Sequence, residues 1–203
     1  MKRPHGHHHG AHGNPEDLEA CVGRLLDPER ARWQKPDAVV RALGLRRGQT
    51  VGEIGAGVGY FTFRLARAVG PGGHVYAVDP EPRMLARLVG RLPRSRAWNV
   101  TPVLGRDEDP LLPAGACDLI LVVNTYHHFP DGPAFLRRLV RALRPGGRIA
   151  NVDFHRRETP VGPPVEHRVP REAFVRDARH AGLRLVAERD FLPYQYFLVL
   201  APR

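Results

Sequence analysis

Glu53 stands two positions before the first of three glycines set at alternate places, Gly55, Gly57 and Gly59, and Asp79 follows 24 positions beyond Gly55. Without a Cβ, glycine takes positive φ and lets a ligand lie against the backbone, while the free N–H groups of a following helix point at it. A glycine turn alone also suits the pyrophosphate of a dinucleotide. A carboxylate at position 53 would repel a diphosphate and attract a cationic group. Asp79 sits near the spacing at which an acid reaches ribose hydroxyls, and one carboxylate can accept from both. Further on, Tyr126, His127 and His128 are consecutive, with His155 and Tyr194 later. Histidine titrates near neutrality, so either imidazole can take a proton from a substrate hydroxyl or amine.

These residues need a scaffold that brings strand ends together. The apolar run before Glu53 predicts a strand, and the residues from 61 to 69 recur at helical spacing. Strands are predicted again over 74–79, 98–104, 118–123 and 148–155, each ending in or running into polar residues, with helices between them. The 118–123 run is nearly all apolar, as in a parallel strand covered on both faces. Gly70-Pro71-Gly72-Gly73 and Arg144-Pro145-Gly146-Gly147 read as turns, and 159–164 is too rich in proline for helix or strand. A last helix is predicted over 170–181, then two closing strands over 183–190 and 195–200. The sum is an α/β, doubly wound sheet of seven mostly parallel strands.

The run Glu53-Ile54-Gly55-Ala56-Gly57-Val58-Gly59-Tyr60 resembles the first motif of the class I S-adenosylmethionine-dependent methyltransferases. The resemblance extends from about Trp33 to the C-terminus and implies a Rossmann-like sheet whose last strand runs antiparallel to the others. It implies a cofactor, S-adenosyl-L-methionine, whose ammonium and sulfonium suit Glu53. It implies cofactor contacts at Glu53, Gly55, Gly57, Gly59, Tyr60, Asp79, Pro80, Asp107 and Asn124. Asp107, with Asp109 as its rival, stands in for an acid that family members carry directly after a glycine, a place held here by Arg106. The His-His-Phe at 127–129 is similar to that of many small-molecule methyltransferases, making His127, His128 and Tyr126 the catalytic candidates. Trp33, Lys35, His155 and Tyr194 are the substrate-side candidates, and Trp33 serves equally well as an ordinary packing residue. Which histidine faces the substrate stays open.

At 203 residues the chain fits a globular domain. We divide it into a His/Gly-rich tail, 1–13, predicted disordered; a helical lid segment, 14–46, opening on a cap at Asn14; and a cofactor-binding domain, 47–203. The net charge of +10 invites nucleic acid as partner, but the excess is arginine spread along helices, which suits solvated faces. The Asn-Pro-Pro-Tyr type signature of nucleic-acid amino methyltransferases is absent, since Thr125 and Tyr126 follow Asn124. Cys21 and Cys117, far apart, speak against a cysteine relay of the arsenite-methylating kind. No run reaches bilayer length and no apolar signal core opens the chain, which predicts the cytoplasm and no membrane partner. The expected function is methyl transfer to a small molecule by a monomer or homodimer, with no metal. The competing readings are methylation of tRNA or rRNA, and a non-catalytic, metal-responsive protein using its histidine-rich arm.

Overall fold

The computed structural model describes residues 17–203. The histidine-rich arm and Asn14 lie outside the described residues. Asp17 caps the first helix, α1 (Leu18–Leu26), its Oδ1 accepting from the Ala20 N–H at 2.9 Å. A short helix not foreseen from the sequence, α2 (Arg30–Gln34), follows, and Lys35 in the left-handed region (φ 44°) turns the chain into α3 (Pro36–Ala42).

From there strands and helices alternate: β1 (Thr50–Ile54), α4 (Thr62–Val69), β2 (His74–Asp79), α5 (Pro82–Ser95), β3 (Val100–Leu104), β4 (Cys117–Val123), α6 (Gly132–Ala142), β5 (Leu143–Phe154), α7 (Arg171–His180), β6 (Leu183–Arg189) and β7 (Gln195–Pro202). They form one seven-stranded sheet in the order β3-β2-β1-β4-β5-β7-β6. β1 to β5 are parallel, and β7 runs antiparallel to both neighbours. The third strand starts two residues later than its apolar pattern implies, leaving Trp98 78% exposed. The glycine turn at 144–147 is absorbed as an irregularity of β5, between the Cys117–Leu143 and Leu119–Arg148 pairs.

Strand alternation divides the core. Leu119 and Leu121 face the side covered by α3, α4 and Leu88 of α5, whereas Ile120 and Val122 face α6 and α7. Both faces of the central strands are therefore dry, which explains the continuous apolar reading of β4. Winding outward through β2 and β3 on one side and β5 on the other opens a crevice at the carboxyl ends of β1 and β4, where ligands bind in open α/β sheets. Among the described residues no helix is long and apolar enough to cross a membrane.

Candidate functional site

A cavity of about 660 Å³ occupies that crevice. Glu53 and Gly55 line it from the β1 end, Asp79 and Pro80 from the β2 end, Asp107 from the loop after β3, and Asn124, His127 and His128 from the segment after β4. Tyr60 and Trp33 complete the set of sequence candidates on its wall. The lid segment adds Leu25 and Arg30, and Phe154 and Pro163 close the side beyond β5.

The two acids at the glycine turn are buried, Glu53 to 4% exposure and Asp79 to 8%. Glu53 Oε2 accepts from the Thr62 hydroxyl at 2.6 Å. Burial, reinforced by the Asp79 charge, pushes the Glu53 carboxyl up to about 8. Asp79 accepts from the Gly57 N–H at 2.7 Å and the Glu81 N–H at 3.0 Å, so it fixes the glycine turn as well as facing the cavity. Burial raises its carboxyl too. Two carboxylates deprived of water around one space favour a cation there.

Gly55 has φ 76°, and a Cβ built on it would meet Thr125 Oγ1 at 2.2 Å. The turn therefore excludes any side chain at this point. Gly57 and Gly59 lie behind the wall, Gly59 with φ 90° and the Phe63 ring in the way of a Cβ.

Arg30 is a functional candidate the sequence did not reveal, for it sits in a polar stretch without motif or period. Its guanidinium lies 3.9 Å from the Tyr60 ring centroid and donates to Leu25 O at 3.0 Å and Gln34 Oε1 at 2.5 Å. Burial pulls it down to about 10, against the pull of Tyr60 and Glu53. The Tyr60 hydroxyl is enclosed without a hydrogen-bond partner among the described residues. Gln34 Nε2 in turn donates to Gln195 Oε1 at 3.3 Å, and Gln195 Nε2 to Asn124 Oδ1 at 2.5 Å. This buried amide chain ties the lid helix α2 to β7 and to the end of β4, where Asn124 is left-handed (φ 52°).

Across the cavity the 3-10 turn Tyr126–His128 separates its three residues. His127 Nδ1 lies 3.3 Å from Asp153 Oδ2, and the other Asp153 oxygen accepts from the Phe154 N–H at 2.8 Å. Asp153 is fully buried. With Nδ1 engaged, Nε2 is the His127 nitrogen available to a ligand. The His128 ring lies 4.0 Å from that of His127. Asp153 had been legible only as a polar strand end; its pairing across 26 residues leaves no local pattern.

Tyr126 does not line the cavity. Its hydroxyl donates to Asp177 at 3.1 Å, its ring packs edge-on against Phe174, and burial with that carboxylate raises its pKa strongly, the opposite of what proton transfer needs. Lys35 also lies off the wall, its Nζ donating to the Phe191 carbonyl at 2.8 Å. Tyr194 backs Trp33 at 6.5 Å, and His155 packs against Tyr196, its pKa lowered by burial and by Arg157. Asp109 is turned to the Leu111 N–H and to Arg138, leaving Asp107 on the wall. Cys117 is buried and its thiol pushed up to about 12, so it is inert packing. Among the described residues no group of three or more His, Cys, Asp or Glu side chains is placed to hold a metal.

The sheet order is that of a Rossmann-like methyltransferase fold. The sequence profile of the family described as "Methyltransferase domain" matches residues 53–149. A solved S-adenosylmethionine-dependent methyltransferase from Aquifex aeolicus superimposes with a TM-score of 0.85 at 26% identity, covering 91% of this chain and 97% of that one. Over residues 53–149 the chain carries the domain of this methyltransferase family, and its whole fold is that of a class I S-adenosylmethionine-dependent methyltransferase. Among curated relatives, nocamycin O-methyltransferase of Saccharothrix syringae is 36% identical over 104 residues, 51% of this chain and 37% of its own length. The ubiquinone/menaquinone biosynthesis C-methyltransferase UbiE of Hahella chejuensis is 31% identical over 121 residues, 58% of this chain and 48% of its own. The chain thus matches half or less of the length of these relatives.

Proposed function

We propose that this protein transfers a methyl group from S-adenosyl-L-methionine to a small-molecule acceptor, with His127 taking the acceptor's proton and Asp153 holding His127. The observation that carries the proposal is one cavity with buried carboxylates at its glycine-turn end and a His–Asp pair at the other. In this reading Glu53 answers the ammonium end, the clearance at Gly55 admits the chain of the cofactor, Asp79 takes the ribose and Asp107 the adenine. On the same reading residues 14–46 are the lid segment and 47–203 the cofactor domain.

The cofactor supplies a methyl carbon already activated on a sulfonium. The protein's part is alignment, exclusion of water and removal of a proton. His127 Nε2 would take the proton of the acceptor O–H or N–H, and Glu53, Asp79 and Asp107 would hold the S-adenosylmethionine that supplies the methyl carbon and keeps the S–C electron pair on its sulfur. The imidazole would then carry the positive charge. A buried imidazolium without a counter-charge is costly, and the buried Asp153 carboxylate compensates it.

The reading includes a cytoplasmic location and a monomeric or homodimeric protein. It is tested by a radiolabelled methyl-transfer screen over metabolite and RNA pools, with His127→Ala as control. Transfer confined to metabolites and lost in the variant supports it; tight binding of NAD or ATP with indifference to S-adenosylmethionine overturns it.

A further inference from the structure

The cavity wall is electrically divided. Its acidic and arginine side chains come from the lid, the ends of β1 and β2 and the loop after β3, as with Arg30, Glu53, Asp79 and Asp107. Leu25 at the end of α1 would touch a Cβ at Gly57, so the charged part of the lid covers the glycine turn. The wall supplied after β4 and β5 is different in kind: His127, His128, Phe129, Phe135, Phe154 and Pro163. Trp33 closes against it, its ring 5.5 Å from that of Phe154. Phe129 stacks on Phe135 at 3.7 Å and 15°.

One cation stands close behind this wall, and its charge is turned away. Arg168, 5% exposed, donates to the carbonyls of Pro163 at 2.8 Å, Arg157 at 2.5 Å, His155 at 3.2 Å and Val161 at 3.4 Å, with its guanidinium 5.0 Å from the Phe154 ring. It gathers the 155–163 loop onto Phe154, where Gly162 (φ 103°) makes room: a Cβ there would meet the ring at 2.6 Å. The proline-bearing loop is thus a built wall offering methylene and ring surface.

Resting on the methyltransferase reading above, we propose that the acceptor is an uncharged, flat, largely apolar compound bearing an acidic hydroxyl of the phenol or enol class. A carboxylate acceptor would enter an apolar wall with its charge uncompensated and close to Asp153. It would also need no base, leaving the His127–Asp153 pair without use. An alkylammonium acceptor meets no carboxylate among the described residues of this wall, since Asp153 lies fully buried behind His127. A phenol, with a pKa near 10, arrives neutral and surrenders its proton within reach of an imidazole. In the low-dielectric cavity the phenolate charge is cancelled by the sulfonium as the new bond forms.

The test uses Trp98→Phe in the full chain, leaving Trp33 the sole tryptophan as reporter, loaded with S-adenosylhomocysteine. Trp33 fluorescence is titrated with 4-propylphenol, 4-propylbenzoate and 4-propylbenzylamine. Saturable quenching by the phenol at a Kd at least about tenfold below either charged probe is expected. Equal or tighter binding of a charged probe, or no saturation by the phenol, overturns the proposal. Val161→Lys, which sets an ammonium on the wall, is expected to bring benzoate binding to the level of the phenol; no gain counts against the wall as acceptor site. Failure to load S-adenosylhomocysteine, read separately by calorimetry, strikes instead at the methyltransferase reading.

Discussion

The imidazole of His127 and the carboxylate of Asp153 meet at 3.3 Å although they leave different strands, β4 and β5, and the carboxylate is fully buried. That pairing assigns the ring's two nitrogens unequal tasks, one structural and one facing the ligand. Asp153→Asn preserves size while removing the charge that would stabilise an imidazolium. Methyl transfer is expected to fall about 10²- to 10⁴-fold in kcat, as is lost with a general base. Calorimetry should give an unchanged Kd for S-adenosylmethionine; a matching loss of cofactor affinity would mean that Asp153 supports the cofactor site.

The Glu53 carboxyl titrates at about 8, raised from an ordinary 4.5. Only its ionised form attracts an ammonium, so cofactor affinity should rise as pH climbs toward about 8, and that rise should be absent in Glu53→Gln. Isothermal titration across pH 6.5 to about 9 reads this directly.

Stability should move the other way. An acid whose folded pKa is raised contributes stability that is fully present below its unfolded pKa and lost as pH rises through the folded one. Between about 4.5 and 8 the native state holds this proton more firmly than the unfolded chain. Above that window the ionised group costs on the order of a few kcal/mol. Ligand-free Glu53→Gln should therefore melt higher than the parent at pH about 9, by several degrees in calorimetry. A lower melting temperature would mean that the Thr62 bond outweighs desolvation.

At Gly55 two costs combine. A side chain there takes a left-handed backbone, at about 1–2 kcal/mol, and collides with Thr125 Oγ1. Gly55→Ala should weaken S-adenosylmethionine binding by more than about tenfold. Adding Thr125→Ala removes the collision and should restore part of the affinity; an unimproved double variant would leave backbone strain as the whole cause.

Arg168→Gln keeps part of the bonding to the 155–163 loop and releases the rest. Hydrogen bonds from a charged donor contribute about 1.5–3 kcal/mol each when buried, so a clear drop in melting temperature is expected. Loss of kcat/KM for the acceptor should exceed any change in cofactor Kd. Equal losses on both sides would place the loop's influence on the whole fold.

The strands and the glycine-turn end of the cavity were legible because their signals are local. An all-apolar run such as 118–123 declares a two-sided strand, and the glycines after Glu53 declare a turn whose φ values glycine alone tolerates. The end of the cavity after β4 was not legible in the same way. Tyr126 and His127 are neighbours, yet a 3-10 turn sends one into Asp177 and the other to the cavity, a choice set by packing and not by residue type. Arg30 reaches the pocket only because α2 forms, and its five residues are too few for a hydrophobic period to declare. Arg168 looked like one more surface arginine in a chain with 31 basic residues; its four carbonyl partners exist only once the proline-rich loop has folded back.

The amide relay from Gln34 through Gln195 to Asn124 joins positions 161 and 71 residues apart. The entrance of the pocket is thereby fastened to the tail of the polypeptide. A chimaera that borrowed its first helices from one homologue and its closing strands from another would inherit a door without its hinge, even if every cofactor contact were copied intact.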